Sequence, residues 1–122
     1  MAAPNLKSPE TITSVNAKTQ PYSCTTTLAA ALSNSANSNQ VLLVSTITAA
    51  NVDGVDPFNV DVALRRGGVD TYMAKASPVK AGETLVVRSR EEVLNVEEGD
   101  AIVARASGAG KIDLLITYNR IS

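Results

Sequence analysis

Short runs of alternating apolar and polar residues fill the second half of the chain, from Ile47 to Ile121. In the last of these runs every second residue is apolar: Ile112, Leu114, Ile116 and Tyr118. Clusters rich in Gly and in charged or amide residues separate the runs, at residues 51–54, 66–68, 80–83, 97–100 and 107–110. A period of two, interrupted by turn-forming residues at short intervals, predicts an all-β sandwich or barrel.

The clearest strands are predicted at residues 41–49, 58–65, 71–77, 84–89, 92–96, 101–106 and 112–120. Their lengths are close to the usual five or six residues of a strand. Together with the earlier segments they amount to about eight or nine short strands in one chain, which favours a two-sheet β-sandwich, with a jelly-roll-like connectivity as one arrangement.

The early part of the chain has a less regular pattern. Residues 11–17 are predicted as a first strand anchored by Ile12 and Val15. Residues 22–32 are ambiguous, because the threonines at 25–27 favour a strand while the following Leu-Ala-Ala-Ala-Leu favours a helix. We favour the strand. The polar stretch that follows, up to Gln40, is predicted to be a loop.

The length of 122 residues fits one domain. Residues 1–10 contain Pro4 and Pro9 and show no regular alternation of apolar and polar residues. We therefore expect an extended N-terminal arm, followed by a single sandwich domain over 11–122. Leu6 is the only large apolar side chain of this arm beyond Met1. It is therefore the residue that we expect to anchor the arm on a partner.

Composition excludes several classes of function. The net charge of −1 provides no field to hold nucleic acid or an anionic membrane, so neither is expected as a partner. The chain has no histidine and a single cysteine, Cys24, which favours a reducing cytoplasm and leaves a thiol nucleophile without a histidine base. We therefore expect no enzymatic activity, no catalytic residues, no metal and no cofactor.

Two segments are similar to ligand-binding loops. Residues 107–111, Ser-Gly-Ala-Gly-Lys, are similar to a phosphate-binding loop, but Arg105 and Ile112 stand where that loop needs Gly and Ser or Thr. A hairpin turn is the favoured interpretation. Asp53 and Asp56 could share a hard cation, yet a β-turn built by Asp and Gly explains them better.

Arginines form two small basic spots, Arg65 with Arg66 and Arg88 with Arg90. Such residues usually lie on a solvated sheet face, but Arg is also enriched where one protein contacts another. Together with Leu6 they are the predicted partner contacts, against an acidic partner surface.

Several segments together resemble small virion structural proteins of tailed bacteriophages, of the type that infects cyanobacteria and other aquatic bacteria. These segments are residues 1–5, 49–54, 79–87, 96–102 and 116–122. The resemblance implies a non-catalytic β-sandwich that is made in the bacterial host cytoplasm and assembles on the virion, with the major capsid protein or another virion protein as partner. It supplies no functional residues.

Two functions follow from this resemblance. The first is a capsid decoration, or cement, protein that bridges major capsid subunits; the alternative is a neck or tail component, including a fibre base. A carbohydrate-binding sandwich is disfavoured because aromatic residues make up only 3% of the chain. The nearly uncharged early segment predicts a homo-oligomer, with a trimer slightly favoured.

Overall fold

The computed structural model describes residues 14–89 and 94–122, which form two antiparallel sheets packed face to face. Their strands are β1 (Val15–Ser23), β2 (Ala29–Ser33), β3 (Val41–Asn51), β4 (Phe58–Arg66), β5 (Val69–Val79), β6 (Thr84–Arg88), β7 (Leu94–Val96), β8 (Ala101–Ala106) and β9 (Ile112–Ile121). The predicted all-β sandwich is therefore confirmed. The predicted arm at 1–10 lies outside the described residues.

Sheet A has the strand order β1-β9-β3-β6, with β7 pairing with β3 beyond the end of β6, and sheet B has the order β2-β8-β4-β5. When the short β7 is set aside, the other strands pair like one long hairpin folded over on itself. β1 pairs with β9, β2 with β8, β3 with β6, and β4 with β5. Two sheets connected in this way form a jelly roll.

The core between the two sheets is aliphatic. Alternate residues of the central strands point inwards, and the largest of the fully buried ones are Ile47, Ile102, Ile112, Leu114 and Ile116. Burying each such side chain stabilises the fold by about 1.5–3 kcal/mol. The same alternation leaves the intervening residues on the outer faces of the sandwich.

The first strand lies further along the chain than its sequence predicts. β1 begins at Val15 and ends at Ser23, whereas the prediction was 11–17, of which residues 11–13 lie outside the described residues. β1 is almost entirely exposed along an edge of sheet A, so its sequence shows no alternation, and its ladder with β9 determines its extent. In the ambiguous segment 22–32, strand is confirmed at its two ends but is wrong for residues 24–28, which form the connection from sheet A to sheet B.

The hairpin predicted at residues 107–111 is also wrong. This turn leads from β8 in sheet B to β9 in sheet A, so the strands that it joins do not pair with each other. The Gly110 N–H donates to the Cys24 carbonyl at 2.9 Å, and a Cβ at Gly108 would lie 2.8 Å from Cδ1 of Phe58. Among the described connections, only the one between β4 and β5 is a hairpin.

A buried asparagine holds the loop that connects β3 to β4. Asn51 is 3% exposed, and its side-chain amide donates to the carbonyls of Asp56 at 3.0 Å and Val79 at 2.9 Å. Its Oδ1 accepts the Asp53 N–H at 2.8 Å. One side chain therefore fixes the loop and ties it to the last residue of β5.

A second buried asparagine has the same role at the opposite end of the sandwich. Asn34, also 3% exposed, donates to the carbonyls of Gln40 at 2.8 Å and Val96 at 3.0 Å. Its Oδ1 accepts from the Ser38 hydroxyl. The polar loop predicted up to Gln40 is thus present, and Asn34 ties it to β7.

Candidate functional site

The outward-pointing residues of sheet A form a broad surface that carries almost no charge, which we call the outer face of sheet A. Cross-strand pairing places these residues in rows; one row consists of Pro21, Leu115, Thr48 and Val86. The set is Val15, Ala17, Thr19, Pro21, Ser23, Val41, Leu43, Thr46, Thr48, Ala50, Thr84, Val86, Asp113, Leu115, Thr117, Asn119 and Ile121, of which Val41 and Ile121 are buried. Asp113 is its single charged member.

Three large apolar side chains of this face are open to solvent. Val86 is 60% exposed, Val15 58% and Leu115 47%. Beside Leu115 lies a groove of about 580 Å³, whose lining includes Pro21, Thr48 and Thr84. Depletion of charge together with exposed apolar side chains is the composition found at the centre of protein interfaces.

The outer face of sheet B has the opposite character. Nε of Arg105 lies 2.6 Å from Oδ2 of Asp61, whose Oδ1 accepts the N–H of Ala76. Burial raises the pKa of Asp61, but the Ala76 N–H and Arg105 outweigh it and hold this pKa below its usual value. Nearby, the Lys75 ammonium lies 4.2 Å from the centre of the Tyr72 ring. This face is therefore charged, and its charges are paired.

The edges of both sheets carry features that hinder the addition of another strand. β1 contains Lys18 and Pro21, and β5 contains Lys75 and Pro78. Lys and Pro on an edge strand oppose pairing with a further strand. The remaining edge strands are short: β2 and β6 have five residues and β7 has three. The ladders of β2 and β6 also each have a register shift. Contacts through the sheet faces are therefore favoured over contacts through the edges.

Arg65, a predicted contact residue, already has an acidic partner within the chain. Its Nε and Nη2 donate to the two carboxylate oxygens of Asp70 at 2.7 and 3.1 Å. This pair closes the hairpin between β4 and β5, and the hydrogen bond from Arg65 lowers the pKa of Asp70. Arg65 therefore adds little net positive charge to the surface.

Arg66 is bound into an acidic turn. Its Nη2 lies 2.7 Å from Oδ2 of Asp100 and 2.9 Å from Oε2 of Glu97. The same Asp100 oxygen accepts the Glu97 N–H at 3.0 Å, so the arginine and the turn hold each other in place. The hydrogen bond with Asp100 raises the pKa of Arg66, which stays charged at any pH at which the protein is folded.

The other predicted contact residues do not join this pair. Arg88 ends β6 in sheet A, opposite Ile47, and is separate from the Arg65 and Arg66 end of sheet B. Leu6 and Arg90 lie outside the described residues, and their contacts stay predictions.

Groups that could carry chemistry are used within the fold. Asp53 accepts the N–H groups of Val55 and Asp56 and lies 3.0 Å from the Lys111 ammonium, which agrees with the turn interpretation. The N–H groups of Asp56 and Val55, and then Lys111, lower the pKa of Asp53 to about 2. Cys24 is fully buried, and burial raises the pKa of its thiol to about 12.

Two kinds of feature are absent from the described part of the chain. Residues 14–89 and 94–122 contain no group of three or more Cys, Asp or Glu side chains arranged to hold a metal ion. Within the same ranges no helix is long and apolar enough to cross a membrane.

The sequence pattern indicates only part of the outer face of sheet A. The uncharged early segment, which the sequence marks as interface-like, supplies β1 and β3 of this face. β9 lies between them, and its central position could not be inferred from one sequence. Comparison with known proteins adds no relative: no family model matches the chain, and no curated protein matches its sequence.

Proposed function

We propose that this protein is a non-enzymatic structural component of a tailed-phage virion that decorates the capsid and bridges major capsid subunits. The resemblance of its sequence segments to small virion proteins supports the virion assignment. The jelly roll supports a structural role only weakly by itself, because one fold can host many functions.

The outer face of sheet A is the observation that carries the proposal. A cement protein acts by occupying surfaces of large neighbours, and this face offers a surface of mostly small side chains with one carboxylate, that of Asp113. The sandwich behind it is stiffened at both ends by Asn34 and Asn51. A rigid module gives up little conformational entropy on docking, which favours stable attachment.

Bridging also needs a second contact surface, away from this face. The arm around Leu6 remains the first candidate, and Arg88 and Arg90 remain predicted contacts. Arg65 and Arg66 are weaker candidates than their sequence suggested, because Asp70, Asp100 and Glu97 already neutralise them. An acidic shell would have to compete with these internal pairs.

The alternative is a structural protein of the neck or tail, including a fibre base. Copy number per virion separates the two locations. Hundreds of copies would place the protein on the shell, whereas a dozen or fewer would place it at the neck or tail. Its absence from purified virions would refute both.

Binding to particles that lack the protein tests the cement function directly. Purified protein should bind such particles and raise the temperature at which they release their DNA. A variant that lacks residues 1–10 keeps every described strand, so it should fold normally but bind and stabilise particles less. Equal binding and equal particle stability would remove the arm from the proposal, and no binding by either form would refute the cement function.

A further inference from the structure

The outer face of sheet A has the properties of a surface that contacts itself. We propose that it packs against the same face of a second copy of this chain, in a two-fold symmetric dimer. This proposal concerns the free protein: a dimer that covers this face must dissociate before the same face docks on a capsid, so self-association and particle binding compete.

Charge is the first argument for a second copy as the partner. Two identical faces brought together must tolerate their own charges, and like charges placed opposite each other are costly. The residues that cross-strand pairing assigns to this face include one charged group, the Asp113 carboxylate, while Arg88, of opposite sign, ends β6. The outer face of sheet B carries Asp61, Arg65, Lys75 and Arg105, so an assembly through that face would bury several paired charges.

The position of Asp113 selects one of two ways of stacking β9 on β9 of the second copy. If the two strands run parallel, the two Asp113 carboxylates face each other. If they run antiparallel about Ile116, each Asp113 faces Asn119 of the second copy, whose amide can donate a hydrogen bond. We therefore assign the antiparallel arrangement, in which Leu115 lies opposite Thr117 of the second copy.

The size of the face fits a dimer of modest affinity. From Ala17 to Ser23 it extends roughly 25 Å along the strands, and four strands span roughly 19 Å. Two copies would bury on the order of 1,000 Å² in total, the lower limit for a specific interface. The dimer should therefore dissociate in the micromolar range rather than persist at any dilution.

The side chains of the face also suit close packing of two sheets. Most are Ala, Ser, Thr or Pro, which allow sheets to approach to about 10 Å. The edge strands oppose association by strand addition, which leaves face-to-face packing as the favoured geometry.

Sedimentation equilibrium over a range of protein concentrations tests this proposal. The wild-type protein should shift from monomer to dimer in the micromolar range. Leu115→Lys places two ammonium groups in the interface and should weaken association by at least about tenfold. Val69→Lys, which adds the same charge at an exposed valine of β5 in sheet B, is the matched control and should leave association unchanged.

A charge change at Asn119 tests the antiparallel arrangement. Asn119→Lys would set a cation opposite Asp113 of the second copy and should tighten the dimer by about threefold. Far-ultraviolet circular dichroism and the urea midpoint of each variant, measured on the monomer, show whether it folds normally. A wild-type protein that stays monomeric, or that forms a trimer, would overturn the proposal. So would equal association of the Leu115→Lys and Val69→Lys variants, or weaker association of Asn119→Lys.

Discussion

Replacement of Asn51 by alanine should destabilise the sandwich more than replacement of any exposed asparagine. The substitution removes hydrogen bonds to the carbonyls of Asp56 and Val79 and from the N–H of Asp53. A net contribution of about 1 kcal/mol for each hydrogen bond gives a loss of about 3 kcal/mol in the free energy of unfolding. Because the residue is 3% exposed, water cannot easily replace the missing partners. For a domain that is stable by roughly 5–15 kcal/mol, this is a large fraction of the total.

Urea unfolding followed by far-ultraviolet circular dichroism measures this loss at a protein concentration low enough to keep the chain monomeric. Asn16→Ala, at an exposed position of β1, is the matched control and should change the free energy of unfolding by less than about 0.5 kcal/mol. Asn51→Asp keeps an oxygen that accepts the Asp53 N–H, but it sets a second carboxylate oxygen, which cannot donate, against the carbonyls of Asp56 and Val79. This variant should therefore be no more stable than Asn51→Ala at neutral pH. A loss below about 1 kcal/mol for Asn51→Ala would refute the assignment of Asn51 as the residue that holds this loop.

Further predictions concern packing, thiol reactivity and pH. Gly108→Ala should cost about 1–3 kcal/mol, because its Cβ would press on the Phe58 ring, whereas Gly54→Ala, with open space around it, should change stability little; similar urea midpoints would contradict this. Cys24, which is buried and has a pKa of about 12, should react with a thiol reagent only as fast as the protein unfolds, and rapid labelling in native buffer would show that the site opens locally. Asp53 has a folded pKa of about 2, below the unfolded value of about 3.9. As the pH is lowered, the unfolded chain therefore takes up the proton first, and the free energy of unfolding decreases as the pH falls from about 5 to about 2. The Asp53→Asn variant should lose less stability over this range, and parallel pH profiles for the two proteins would contradict the role of the ionised carboxylate.

The strands that the sequence predicted best are those at the centre of each sheet. β8 matches its prediction, residues 101–106, at both ends, because turn-forming residues at 97–100 and 107–110 bound it on both sides. The misplaced first strand is an edge strand with both sides exposed, and its position depends on pairing with residues almost a full chain length away. Local pattern carries no information about such a partner.

The candidate surface was harder to predict than the fold. Its residues come from β1, β3, β6 and β9, and only the strand order brings Pro21, Thr48 and Leu115 into one row. The arginines are predicted as contact residues because charged residues can be identified from the sequence without a structure. Their acidic partners, such as Asp100 for Arg66, depend on turns between strands of different sheets and could not be identified before the fold was known.

The central position of β9 in sheet A has a consequence for how the chain can be made. Its neighbours β1 and β3 leave the ribosome long before it does, yet they are joined to each other only through β9. Until Ile121 has been synthesised, sheet A lacks its central strand, and the inward side of β3 around Ile47 has no complete sheet to support it. Pairings between such distant segments form slowly, so folding must follow synthesis rather than accompany it. Chains that end before Ile112 should therefore accumulate as aggregates or be degraded, however complete their first eight strands are.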